Sequence, residues 1–121
     1  MALFRTSYRI AADVLLDALA AAEAERLSLP SLATFLLRGF VNGTITVERT
    51  DYEVGVPRTN KDLALDRDLL READEKRCAE EVAQSMAHLL EILFRASVRH
   101  EVTLEASGRA GGKSGHLKPR S

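Results

Sequence analysis

The sequence has no tryptophan, a single cysteine and few aromatic residues, 5% in all. With Cys78 alone, neither an intrachain disulfide nor a zinc site built from several thiolates can form. The thiol reads as buried or idle, in a reducing compartment. A core so short of rings must be built from Leu, Val, Ile and Ala, which favours packed helices over a β-sandwich. Long apolar runs are missing too. The best stretch, Val14 to Ala22, is broken by Asp17 and falls short of the ~18 residues a membrane span needs. Asp13, Asp17, Glu23 and Glu25 suit neither a secretory h-region nor a mitochondrial presequence. A cytoplasmic protein without a targeting segment is expected.

What is present is ordinary for a small globular chain: 121 residues, 45% of them hydrophobic and 29% charged, enough for one domain with one core. Charge is unevenly spread. Of 17 Lys/Arg and 18 Asp/Glu, four basic residues and no acid fall in 106–121, which leaves 13 against 18 in 1–105. An acidic domain over 1–105 therefore carries a basic, Gly/Ser-rich tail over 106–121, expected to be flexible.

Periodicity predicts a first helix from about Ser7 to Leu27, with Ser7 as N-cap and Leu15, Ala18, Leu19 and Ala22 as its apolar stripe. Pro30 suits the first turn of a second helix. Over Ser31–Val41 only Ser31, Thr34 and Arg38 are polar, so this helix is expected to be buried on most sides and to end at Gly39 or Asn42-Gly43. Residues 44–56 switch to period two. A turn at Thr50-Asp51 would pair Val47 with Val54 and Ile45 with Val56 in a hairpin. A long helix, capped by Thr59 or Asn60, is then expected to run to about Arg99, with any break near Asp66. Its later half carries Val82, Met86, Leu89, Leu93 and Ala96 on one face and Glu81, Gln84, His88, Glu91, Arg95 and Arg99 on the other. A short strand over Val102–Leu104 is a further expectation. No internal repeat is apparent. The predicted fold is mainly α: a three-helix bundle with a β-hairpin inserted before a long C-terminal helix, followed by the tail.

Few residues gather into a chemical motif. Gly108 to Ser114 ends in Gly-Lys-Ser, but Gly108 leaves three residues before that triplet where a phosphate loop needs four, and no following helix is expected. His88, His100 and His116 are scattered, without the spacing of a helical metal motif, so no cofactor or metal is expected. Arg95 to His100 resembles, over six residues, the R-x4-H spacing of helical ribonucleases of the HEPN type. The resemblance implies that Arg95 holds a scissile phosphate while His100 serves as acid or base. Ala96 stands where that family commonly has a polar residue. Five residues along one continuous helix also lie about 140° apart, so the pair converges only at a helix break or across a dimer. Otherwise Glu91 and Arg95 form an exposed ion pair.

The leading expectation is therefore a non-catalytic interaction or assembly subunit with a protein partner or a second copy of itself. Its candidate interface is Val82, Met86, Leu89 and Leu93, or Phe40 with Val47 and Val54. Arg109, Lys113, Lys118 and Arg120 are candidate contacts to nucleic acid, without sequence specificity. The alternatives are a small endoribonuclease or toxin-like enzyme using Arg95 and His100, and a DNA-binding regulator with the hairpin as a wing. No membrane partner and no small-molecule ligand are implied.

Overall fold

The computed structural model describes residues 2–98. The predicted strand at 102–104 and the tail at 106–121 lie outside them. Strand β1, Leu3–Ala11, opens the fold. Its residues alternate: Tyr8 and Ile10 are buried, while Arg5, Ser7 and Arg9 are exposed. Thr6, Tyr8 and Ile10 are β-branched or aromatic and fit a pleated, half-buried surface. Strand β2, Arg58–Asp66, repeats the alternation with Leu63 and Leu65 inward and Asn60 and Asp62 outward. The two pair antiparallel from Leu3 opposite Asp66 to Ala11 opposite Arg58. A bare two-stranded ribbon is marginal in water. Here Tyr8, Ile10, Leu63 and Leu65 join the helices in one hydrophobic core.

Each strand runs straight into a helix. Helix α1 spans Ala12–Ala24 and lacks a side-chain cap; the Ala12 N–H donates instead to the Pro57 carbonyl at 2.9 Å. Helix α2, Leu29–Asn42, has Ser28 as N-cap, accepting from the Ser31 N–H, and ends on Gly43 at φ 85°, a left-handed position that suits glycine. Asp66 closes β2 and caps helix α3, Arg67–Glu80, by accepting from the Leu69 N–H at 2.9 Å. Glu81, at φ 54°, ends α3. After a short link, Ser85 accepts from the His88 N–H at the start of helix α4, Met86–Val98.

The chain is thus one strand–helix–helix unit followed by another. β2 and α3 begin 55 residues after β1 and α1 (Leu3 to Arg58, Ala12 to Arg67), and α4 begins 57 after α2 (Leu29 to Met86). Matched positions share roles. Val14 and Ala18 answer to Leu69 and Ala73, all buried; Leu32, Ala33, Leu36 and Leu37 answer to Leu89, Leu90, Leu93 and Phe94, again all buried. The halves interlock, because α1 packs more extensively on α4 than on α2, and α3 more on α2 than on α4. Ser7 faces Asp62 at the middle of the ribbon, and these two residues are themselves 55 apart, so an approximate twofold axis passes between them.

This architecture corrects the predicted three-helix bundle with a long C-terminal helix. Residues 3–11 form a strand where the first helix was expected to begin, because their pairing partner lies 55 residues away and leaves no local signature. The long helix is instead β2, α3 and α4. The predicted hairpin at 44–56 contains no strand. Ile45 is buried and Val47 and Val56 are partly buried against the core, so the alternation serves a strap laid over the helices rather than a paired sheet. The internal repeat, not apparent in the sequence, lies in packing roles more than in residue identity.

Close packing at Gly39 holds that strap. A Cβ there would lie inside van der Waals contact of Ile45 Cγ1 and Cδ1, and the Ile45 N–H donates to the Gly39 carbonyl at 2.9 Å. Alanine ordinarily stabilises a helix interior, but Ile45 is buried and has nowhere to retreat. Gly39→Ala is therefore expected to cost about 1–3 kcal/mol, as overpacking does, measured by urea denaturation. An unchanged or raised midpoint would show that the strap yields freely.

Candidate nucleic-acid interface

One face of the β1–β2 ribbon packs on the helices; the other is uncovered by the described residues over its middle, while its Ala11–Arg58 end is buried against Glu91 and Tyr52. Opposed residues of an antiparallel pair share a face, so the outward face is set by the register. It presents Arg5 beside Ala64, Ser7 beside Asp62, and Arg9 beside Asn60. All are exposed except Ala64, which is half-buried. The Ser7 hydroxyl donates to the Asp62 carboxylate at the centre. The middle of the face is narrow, polar and flanked by two arginines, with the exposed Leu3 beside Asp66 beyond Arg5. An arginine fork donates two parallel hydrogen bonds to an acceptor pair, and an asparagine amide both donates and accepts.

The ribbon is fastened at both ends by an equivalent backbone bond, Ala12 N–H to Pro57 and Arg67 N–H to Ala2, and by different side chains. At the Ala11–Arg58 end, the buried Glu91 carboxylate accepts from the Ala11 N–H at 2.9 Å and from Arg58 Nε and Nη2 at 3.3 Å each. Both ionic side chains are about 95% shielded from solvent, with 4% and 5% exposed. Arg58 also lies over the Tyr52 ring, 4.2 Å from its centre. Arg95 reaches Glu91 at 3.9 Å and Glu53 at 3.2 Å. At the opposite end the Arg67 N–H donates to the Ala2 carbonyl at 2.9 Å, and the Arg67 guanidinium lies 5.6 Å from the centre of the Phe4 ring. Tyr52 meets His88 edge-on, with ring centres 5.2 Å apart. The strap is thereby tied to α4 beneath the ribbon.

His88 is buried, and its Nδ1 accepts from the Gln84 N–H at 3.0 Å. Burial, with a smaller push from Arg58, lowers its pKa below the ordinary 6.5, against opposing pulls from Glu91 and Asp51. The unfolded chain therefore takes up this proton first. Its contribution to stability is complete above about pH 6.5 and is lost as pH falls towards the lower folded value. We expect the thermal midpoint to drop between pH 7 and 5.5. His88→Asn, which keeps an acceptor for the Gln84 N–H, should flatten that slope. Equal slopes in the two proteins would count against His88 as the source.

The residues singled out from sequence fall elsewhere. Phe40, Val82, Leu89 and Leu93 are buried in the chain's own core; Val47 and Met86 are partly buried against it, and only Val54 stands free, 83% exposed. They do not form one surface. Glu91 is not the exposed partner expected for Arg95 but a buried one, because Arg58 on β2 neutralises it. Arg95 is engaged by Glu53 and Glu91, while His100 lies outside the described residues, as do Arg109, Lys113, Lys118 and Arg120. Cys78, expected to be buried or idle, is exposed on α3. Arg5, Arg9 and Asn60 drew no functional reading from sequence. The signal that finds them is the alternation of Tyr8 and Ile10 with Arg9, joined to that of Leu63 and Leu65 with Asp62.

No helix among the described residues is long and apolar enough to cross a membrane. Nor do these residues gather three or more His, Cys, Asp or Glu side chains around a point fit for a metal ion. Compared with known proteins, the chain matches no family model, no curated protein and no solved structure.

Proposed function

We propose that this protein is a DNA-binding regulator that lays the outward face of the β1–β2 ribbon in the major groove of duplex DNA. The observation that carries the reading is the uncovered polar middle of one ribbon face, bearing Arg5, Arg9 and Asn60, on an otherwise packed two-stranded sheet. The major groove, about 12 Å wide, admits such a ribbon, and nine residues of strand span about 30 Å along it. Arginine pairs with the two acceptors of guanine and asparagine with the donor and acceptor of adenine. The expected hairpin at 44–56 cannot serve as a wing, because that segment contains no strand. The tail cations Arg109, Lys113, Lys118 and Arg120 add contacts to phosphates without sequence preference. A reducing cytoplasm suits both the ligand and an exposed lone thiol.

Fluorescence anisotropy with labelled duplex tests the reading. Binding is expected to weaken steeply with salt, and to persist for an enriched sequence when the four tail cations are replaced by alanine in the full chain. Complete loss of binding in that variant would assign the contact to the tail and sink the ribbon reading.

A second reading, association with a protein partner or a second copy, rests on a different surface from the one expected. On α1, Leu16 is 67% exposed and Leu19 37%, three residues apart on one side of the helix. Sedimentation equilibrium of the full chain tests it. A dimer that Leu16→Glu dissociates supports it, and a monomer at high concentration removes it.

A further inference from the structure

The approximate twofold axis between Ser7 and Asp62 makes Arg5 and Asn60 equivalent positions on opposite sides of the ribbon's centre, as it does Arg9 and Ala64. A protein with true twofold symmetry would present the same residue at each such pair and read an inverted repeat. Here the equivalents differ in chemistry. One end of the outward face offers Arg5 with Ala64, the other Arg9 with Asn60.

We infer that one molecule of this chain recognises an asymmetric duplex site, with guanine on the side facing Arg5 and adenine at the matching position facing Asn60. This rests on the ribbon reading proposed above. The chemistry at each position is specific. Arg5 and Arg9 carry only donors, so each seeks the paired acceptors of guanine. The Asn60 amide satisfies both the donor and the acceptor on the exposed edge of adenine, which an arginine does not. Ala64 has no polar atom on its side chain and suits contact with a thymine methyl group. At the centre, Asp62 accepts from the Ser7 hydroxyl and has lone pairs left for the amino group of cytosine. Neither half of the ribbon therefore repeats the base pattern of the other. The fastenings beneath share one backbone bond, Ala12 N–H to Pro57 at one end and Arg67 N–H to Ala2 at the other, but the buried Glu91 holds only the Ala11–Arg58 end. A single polypeptide supplies both halves, so no second copy is needed to complete the recognition surface.

The test is selection from a random duplex library with the full chain, followed by the same selection with Asn60→Arg and with Arg5→Asn. Both positions are exposed, and circular dichroism checks that each variant folds. The expected wild-type motif lacks inverted-repeat symmetry at the two positions related by the axis. Asn60→Arg should exchange adenine for guanine on one side, and Arg5→Asn guanine for adenine on the other, each by about tenfold in relative affinity. Either exchange makes the motif symmetric at that pair. A palindromic wild-type motif, or base preferences unmoved by both variants, overturns the inference while leaving duplex binding intact. Failure to bind any duplex overturns it together with the ribbon reading.

Discussion

Replacing Arg9 with alanine is expected to weaken binding to the selected duplex about tenfold to a hundredfold, and Arg5→Ala to do the same at the other end. The range follows from the roughly 1–3 kcal/mol by which a bidentate contact to a base discriminates. Both side chains lie on the exposed face of β1, so their loss leaves no cavity and no buried orphan. Thermal stability should stay within about 0.5 kcal/mol of the parent, as for ordinary surface changes. The salt slope separates base from phosphate contact. An arginine on a base edge takes specificity with it, whereas an arginine on a phosphate lowers affinity for every sequence and reduces the slope by about one. Arg9→Ala that binds the selected and scrambled duplexes with the parent's ratio would remove Arg9 from the reading surface.

Glu91→Ala should produce the largest loss of stability of any single change considered, about 3–5 kcal/mol out of a total of roughly 5–15. Glu91 is the shared acceptor for the Ala11 N–H and for Arg58, and it is 4% exposed. Its removal leaves the shielded Arg58 guanidinium without its carboxylate and a strand N–H without its partner. The Arg58–Glu91 pair need not stabilise the fold relative to a greasy substitute; the damage comes from breaking one half of it. Hence Arg58→Met combined with Glu91→Leu should be milder than Glu91→Ala. Glu91→Gln, which keeps an acceptor but drops the charge, should fall between parent and Glu91→Ala. Urea denaturation of the full-length protein measures all of these. If Glu91→Ala melts like the parent, the carboxylate is not fastening the end of the ribbon.

Helix α2 was the easiest part to read from the residues. Its near-continuous apolar surface, Pro30 at its start and Gly43 at its end all work locally, and the expected 31–41 lies inside the observed Leu29–Asn42. The strands were hidden for physical reasons. Tyr8 and Ile10 mark only two inward positions before the apolar stripe of α1 begins at Val14, so a helical period extends back over them. β2 holds Asp62 and Asp66, residues that equally suit the first turn of a helix, and Thr59 is its only β-branched member. The break between α3 and α4 carries neither Gly nor Pro; Glu81 takes a left-handed turn that residue type does not foretell. The candidate site was hidden with the strands, because Arg5, Arg9 and Asn60 become neighbours only once residue 9 is known to face residue 60.

The crosswise packing of α1 on α4 and α2 on α3 bears on how such a molecule can change. Neither half owns a complete interior, so residues 2–42 and 58–98 cut apart would be two partial folds waiting for each other. The fifteen-residue segment from Gly43 to Pro57 turns that meeting into an intramolecular event, at an effective concentration of about millimolar rather than the far lower concentration of a cellular protein. Folding then does not depend on abundance, unlike that of an obligate homodimer. Joining the halves in one gene product also releases them from having to match. A mutation in one strand is not copied into the other, as it would be in a homodimer, so each edge of the ribbon is free to carry its own vocabulary.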